Sequence, residues 1–273
     1  MTERPAHFTA SDDGFLPMSF AQSHWGDDHL NGPAVVGLAA RALELRYGSA
    51  EFMPARLTVD LFKAARGVPT TVVVRLVRDG RRVRNAVCDV VQGGATVAHA
   101  TLVSYRRSSP PPGEEWVATS EFTYPAGPLP GPDEVAGPYV GSDGQGWTRA
   151  IAEHQNADRT RFVDRPLDVV AGDKNSAFVS AAMVAESTSL TTNLGSRGIG
   201  YINGDLTMGL ARLPVDDWLG VQADAHWAAD GVAVGTATLF DTLGAFGSGM
   251  VTAVANPAAQ IDFGSTAFKG MRF

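Results

Sequence analysis

Leu57-Thr58-Val59-Asp60-Leu61-Phe62 recurs as Leu206-Thr207-Met208-Gly209-Leu210-Ala211, an offset of 206 − 57 = 149 residues. Both copies place bulky apolar residues at alternate positions, the period of a strand with one buried face. Working outward, Gly48 closes an apolar helical stretch and returns as Gly195 at an offset of 147, while Gly94, at a turn, returns as Gly244 at 150. Near-equal offsets in three kinds of element imply a duplicated module. A competing match of residues 94–102 with 231–239, at an offset of 137, would delete a strand from the second copy. It reads as similarity between neighbouring strand types.

The element order is the same on each side of the repeat. Asn31-Gly32-Pro33 opens an apolar run, so a helix is expected from near Pro33 to just before Gly48. It is apolar around most of its circumference and therefore needs wrapping. Strands follow at 55–64, 70–77, 82–91 and 96–105, with Asp79-Gly80 and Gly93-Gly94 marking hairpins. Residues 14–20 suit a short strand before the first helix. In the second half, strands at 147–154 and 159–165 precede a helix over 176–194, then strands at 201–213, 218–227, 232–240 and 245–254. The expected fold is α+β: two tandem modules, each a long central helix wrapped by an antiparallel sheet. Their boundaries are residues 1–107 and 147–273, joined by a Pro/Gly-rich linker at 108–146.

Composition limits the function. With 273 residues, 44% hydrophobic and 19% charged, the chain has the material for a real core. A net charge of −7 gives no whole-molecule attraction to nucleic acid. No run approaches the ~18 apolar residues of a membrane span, and Met1-Thr2-Glu3-Arg4-Pro5 lacks a targeting pattern. A cytoplasmic setting is expected. Cys88 is the one cysteine, so it forms no internal disulfide, and its strand context makes it a small buried hydrophobe. There is no Gly-x-Ser-x-Gly elbow, Walker A loop, Gly-x-Gly-x-x-Gly or His-Glu-x-x-His, and no cofactor is expected.

Aligning the helices by the glycine offset sets Ala39 against Glu186. Glu186 lies among Ala182, Met183 and Leu190 on one helix face, where burial would raise its pKa toward neutrality. That suits a general base. The competing reading has the helix rotated so that Glu186 reaches solvent or pairs with Arg197.

These residues resemble the double-hotdog acyl-CoA thioesterases, similar to bacterial acyl-CoA thioesterase II and its actinobacterial relatives. The resemblance rests on the duplicated order, on Asn31-Gly32-Pro33-Ala34-Val35-Val36-Gly37 where that family has a Gly-Gly helix start, and on Asp205-Leu206-Thr207-Met208-Gly209-Leu210-Ala211-Arg212. The last stretch is similar to the family's Asp-His-Ser-x-x-Phe-His-Arg strand. In that family an Asp, a Thr or Ser and a Gln hold the water that attacks the thioester. Carried over, these fall on Glu186, Asn203 and Thr252, each with a changed identity. The resemblance also implies an acyl-CoA substrate or ligand, a role in lipid metabolism and a homo-oligomer.

Other candidates complete the expected site. Thr252 shares strand parity with Phe246, Met250 and Val254, placing it on the core side. Asn203 has the wrong parity against Leu206 and Met208 unless Gly204 marks a bulge. Gly32, at the start of the first helix, is the candidate for meeting an oxyanion with free backbone N–H groups, with Asp205 as a further substrate contact. Arg78, Arg81 and Arg82 around the Asp79-Gly80 turn are candidates for the phosphates of coenzyme A, against the plainer reading of a solvated hairpin tip. The His24-Trp25-Gly26-Asp27-Asp28-His29 stretch fits no metal spacing and reads as a polar turn. Two alternatives stay open: a non-hydrolytic acyl-CoA or fatty-acyl binding protein, and a hotdog enoyl-thioester hydratase drawing on His24, Asp27, Asp28 or His29.

Overall fold

A computed structural model of the chain describes residues 5–26, 28–131, 134 and 136–265. Strands β1 (Ala6–Ser11) and β2 (Gly14–Pro17) precede helix α1 (Gly32–Tyr47). The Asn31 side chain accepts from the Ala34 N–H at 2.9 Å, Pro33 occupies the first turn, and the Gly48 N–H closes the helix on Glu44 O at 2.7 Å. Next come β3 (Phe52–Leu61), β4 (Thr71–Asp79), β5 (Val83–Gln92) and β6 (Ala95–Arg106), an antiparallel run.

The second half opens with β7 (Tyr139–Ser142), β8 (Gln145–Thr148), β9 (Thr160–Asp164) and β10 (Asp168–Val170). Helices α2 (Ala177–Glu186) and α3 (Thr188–Asn193) follow, then the short strands β11 (Leu194–Gly195) and β12 (Gly198–Ile199). Strands β13 (Tyr201–Asn203), β14 (Asp205–Leu210), β15 (Leu219–Ala229), β16 (Val232–Asp241) and β17 (Gly244–Ala255) complete it. Between 107 and 138 the described residues form no helix or strand.

The duplication is visible as geometry. One 12-stranded sheet runs β4-β5-β6-β3-β14-β17-β16-β15-β9-β7-β8, with β13 also on β17, and the two halves meet where β3 pairs antiparallel with β14. At that seam Thr58 lies opposite Thr207, hydroxyl to hydroxyl at 3.2 Å, and these residues are 149 apart. Leu57 opposite Met208 and Val59 opposite Leu206 are then the same contact made twice. The offset read from the sequence is therefore the register of a local two-fold axis. The 137 alternative would set β6 upon β16, whereas β6 begins at Ala95 and β17 at Gly244, again 149 apart.

The sheet wraps α1 and α2, which run antiparallel. Ser176, the N-cap of α2, donates to Glu44 near the end of α1, while Glu186 at the end of α2 reaches Gly32 at the start of α1. Gly37 permits this approach, since a Cβ there would lie 2.8 Å from Val169 Cγ2 and 2.9 Å from Met183 Cγ. The helices and the inward sheet residues form one apolar core that includes Leu38, Leu57, Phe178, Met183, Leu206 and Phe246.

Some expectations are corrected. The helix expected over 176–194 breaks at Ser187, whose N–H bonds to Val184 O at 3.0 Å. Hydroxyl-rich sequence explains the break: Thr191 Oγ1 donates to Ser187 O at 2.6 Å and Thr192 Oγ1 to Thr188 O at 2.8 Å, and such bonds bend helices. The strand expected over 147–154 ends at Thr148. Residues 151–154 form a 3₁₀ turn in which buried His154 is held between Ser142 Oγ at 3.2 Å and Thr148 Oγ1 at 3.0 Å. Strand β1 had no sequence signal of its own and is recruited in parallel by β10, with Phe8 opposite Val170.

Candidate active site

Glu186 is the last residue of α2, where the chain kinks. Its carboxyl sits against the first turn of α1: a Cβ built on Gly32 would lie 2.0 Å from Glu186 Oε1 and 2.2 Å from Cδ. Only glycine leaves that space open. The residue keeps a little solvent-accessible surface, but its carboxyl is surrounded by protein atoms, and burial pushes its pKa up to about 7. A hydrogen bond from Asn203 opposes the shift without cancelling it. Glu186 does not swing to solvent, and the carboxyl that feels the Arg197 charge is that of Asp262. Counted from the helix caps Asn31 and Ser176, the first-copy position equivalent to Glu186 is 186 − 145 = 41, an arginine, rather than Ala39. Arg41 pairs with Asp173, and the acid that faces the opposite helix start from the first copy is Glu44, which accepts from the Ser176 hydroxyl and whose pKa burial also raises.

Asn203 reaches this carboxyl because Gly204 resets the strand. Asn203 pairs with Ala253 and Thr207 with Met250, so the paired numbers sum to 456 before Gly204 and to 457 after it. One extra residue lies between, which is a bulge. It lets Asn203 face the helices even though Leu206 and Met208 also point inward. Asn203 Nδ2 donates to Glu186 Oε1 at 3.2 Å and to Asp205 O at 3.2 Å, the second bond fixing the direction of the first.

Thr252 and Asp205 do not join that pair. In β17 the inward residues are Gly249, Val251 and Ala253, while Met250 and Val254 are exposed, so Thr252 points out of the other face of the sheet. Parity with Phe246 misleads because the register shifts there: Leu239 pairs with Gly247 but Phe240 with Ala245, leaving Phe246 unpaired. Asp205 lies opposite inward Leu206 in the alternation and shares the outer face with Thr252. Its carboxylate accepts from the Thr252 N–H at 2.8 Å and from the Thr252 hydroxyl. An ionised carboxylate has no proton to donate to an oxyanion, and this one braces the bulge from the outer face. The expected substrate role of Asp205 is corrected on that ground.

The remaining candidates lie apart. Arg81 and Arg82 line an open groove at the tip of the β4–β5 hairpin, whereas Arg78 lies over Gly80 and is not among the lining residues. Arg84 Nη1 donates to Tyr47 O at 3.0 Å, which sets this hairpin at the far end of α1 from Gly32. His24 packs edge-on to Phe263, Asp28 Oδ1 accepts from the Gly67 N–H at 3.1 Å, and Asp27 falls outside the described residues. Among the described residues no group of three His, Cys, Asp or Glu side chains is placed to hold a metal. Cys88 is fully buried, and burial, aided by Asp89, pushes its thiol up to about 12. It is a packing residue.

The comparisons agree with this architecture. Residues 21–105 match the family model described as the acyl-CoA thioesterase N-terminal domain, and residues 106–250 match that of the acyl-CoA thioesterase C-terminal domain. No curated protein matches it in sequence. The fold is similar to that of the tesB protein of Mycobacterium avium subspecies paratuberculosis, at 14% identity and a TM-score of 0.61 over 92% of this chain and 96% of that one. It is also similar to acyl-CoA thioesterase II TesB2 of Mycobacterium marinum, at 16% identity and a TM-score of 0.58 over 82% and 88%. A conserved Alicyclobacillus acidocaldarius protein of unknown function with a hot dog fold matches at 17% identity and a TM-score of 0.58, over 86% and 90%. The class so defined is a hotdog-fold thioester hydrolase. The two domain matches carry the assignment further, and the chain belongs to the acyl-CoA thioesterase family.

Proposed function

We propose that the chain hydrolyses a fatty acyl-CoA thioester to the free acid and coenzyme A, with Glu186 as general base. The observation that carries this reading is a carboxyl held near neutrality at the first turn of α1 and touched by one directed amide, Asn203. Glu186 takes a proton from a water as its oxygen bonds to the thioester carbonyl carbon. Pro33 has no N–H and the Ala34 N–H is taken by the Asn31 cap, so the donor left at the start of α1 is the Gly32 N–H, and it meets the negative oxygen that develops. Collapse breaks the C–S bond, and the proton returns from Glu186 to the departing thiolate. Asn203 orients the carboxyl. The reading comprises two hotdog modules, residues 1–107 and 147–273, with 108–146 between them, and it includes assembly into a homo-oligomer and a cytoplasmic place in lipid metabolism.

Purified protein incubated with acyl-CoAs of several chain lengths is expected to release free thiol, and Glu186→Ala to stop it. Turnover surviving that substitution would remove Glu186 as base. A second reading, an acyl-CoA binding protein without turnover, is favoured by Thr252 facing away from Glu186. Tight binding with no thiol release from any acyl-CoA would establish it.

Gly32→Ala provides a separate check on the same site. Its methyl would occupy the position of the Glu186 carboxyl, which must swing away. A displacement of about 1 Å costs roughly 10²-fold in rate. The expected result is that loss in kcat/KM, in a protein whose circular dichroism is unchanged.

A further inference from the structure

At the tip of the β4–β5 hairpin the chain concentrates positive charge that its overall balance of −7 does not foreshadow. Arg81, Arg82, Tyr105, Arg106, Arg107 and Ser108 line an open groove of about 730 Å³. Its walls are fixed by backbone bonds. The Arg106 N–H bonds to Arg82 O at 2.9 Å and Arg106 Nε donates to Arg81 O at 2.8 Å. Arg106 is also matched by Glu51 at 2.8 Å, and nearby Arg84 by Asp79 at 2.9 Å. Arg81 and Arg82 have no carboxylate partner among the described residues, and Arg107 meets only the sulfur of Met53, at 3.6 Å. Three guanidinium groups thus face one concavity without a counter-charge.

Guanidinium groups match the paired oxygens of a phosphate. Tyr105, half exposed beside them, offers an aromatic face on which a base can stack, and Ser108 adds a hydroxyl. The groove is open to solvent along its length, with room for a nucleotide-sized ligand to lie in it. We propose that this groove binds a phosphorylated nucleoside through Arg81, Arg82 and Arg107, with Tyr105 under the base. The ligand is either a free nucleotide or the nucleotide end of coenzyme A. The second source rests on the thioesterase reading, the first does not. The groove lies about 24 Å from Gly32, the length of α1 at ~1.5 Å per residue.

Calorimetric titration of the full chain with adenosine 3′,5′-bisphosphate, ADP and unphosphorylated adenosine tests this. The two nucleotides are expected to bind and adenosine to fail, and the Arg81→Ala/Arg82→Ala variant to lose at least ten-fold in affinity. Both residues are exposed at a turn, so folding is retained, as a melting curve will verify. No nucleotide binding near 0.1 M salt, or equal binding by the variant, overturns the proposal. To separate the sources, KM is measured for an acyl-CoA and for the same acyl group on N-acetylcysteamine. A rise for acyl-CoA alone identifies the coenzyme, and no change in either, with ADP binding lost, identifies a free nucleotide. An equal rise for both overturns the proposal, since the active site itself would then be disturbed. Nucleotide binding without thiol release from any acyl-CoA leaves the groove standing and removes the thioesterase reading.

Discussion

Glu186→Gln is expected to lower kcat/KM for acyl-CoA by about 10²- to 10⁴-fold, the range that a positioned general base contributes. Glutamine keeps the shape and the contact with Asn203 but cannot take a proton, so the loss reports chemistry and not packing. The same substitution has a signature in stability. The native carboxyl holds its proton up to about pH 7, whereas the unfolded chain loses it near 4.5. Below the unfolded value both states are protonated and burial carries no penalty. As pH rises from 4.5 through 7 the unfolded state ionises first, and native stability falls by up to about 3 kcal/mol before levelling off. Glu186→Gln removes that slope and makes the protein more stable than wild type at pH 8. A variant less stable at pH 8 would mean that the native carboxylate is stabilised by partners rather than strained by burial.

Arg212→Ala is expected to be the most damaging change outside the site. Asp241 is 2% exposed and takes Arg212 Nη1 on Oδ2 at 2.5 Å and Nη2 on Oδ1 at 2.6 Å. The Val215 and Leu243 N–H groups add bonds at 3.0 and 2.9 Å. Burial works against ionisation of Asp241, but these bonds and the guanidinium charge together hold its carboxyl below the usual range. Removing the cation leaves a buried carboxylate half satisfied, at a cost of about 3 kcal/mol, the lower end for broken buried pairs because Arg212 is partly exposed. The melting temperature should drop by roughly 5 °C, measured by calorimetry. KM below the transition should not move, because the clamp ties β14 to the β16–β17 turn and touches no part of the Glu186 pocket. A KM change without a drop in melting temperature would assign Arg212 to the site instead.

The fold was more legible than the site, for physical reasons that particular residues show. Repeated strands obey a period of two, so Leu57-Thr58-Val59 and Leu206-Thr207-Met208 declare themselves. Their offset turned out to be the pairing register of Thr58 with Thr207. A site depends on where that period is interrupted. The bulge at Gly204 brings Asn203 to Glu186, and glycine gave a readable warning of it. The bulge at Phe246 carries no comparable mark, because an unpaired phenylalanine looks like any core residue, and strand parity therefore points Thr252 to the wrong face. The inner face of β17 is also disguised by Gly249 and Ala253, small residues that leave room for the helices and give no hydropathy signal. The break after Glu186 follows from hydroxyls at 187, 188, 191 and 192, a pattern too local to outweigh the apolar run before it. The arginines at the hairpin tip were visible, but their distance from Gly32 needed the course of α1.

The most direct test of the account is the pH dependence of kcat/KM for acyl-CoA hydrolysis between pH 5 and 9. A general base held by burial predicts a rise with an apparent pKa near 7 that is absent from the residual rate of Glu186→Gln. A profile flat from pH 5.5 upward, or one unchanged by that substitution, would contradict it.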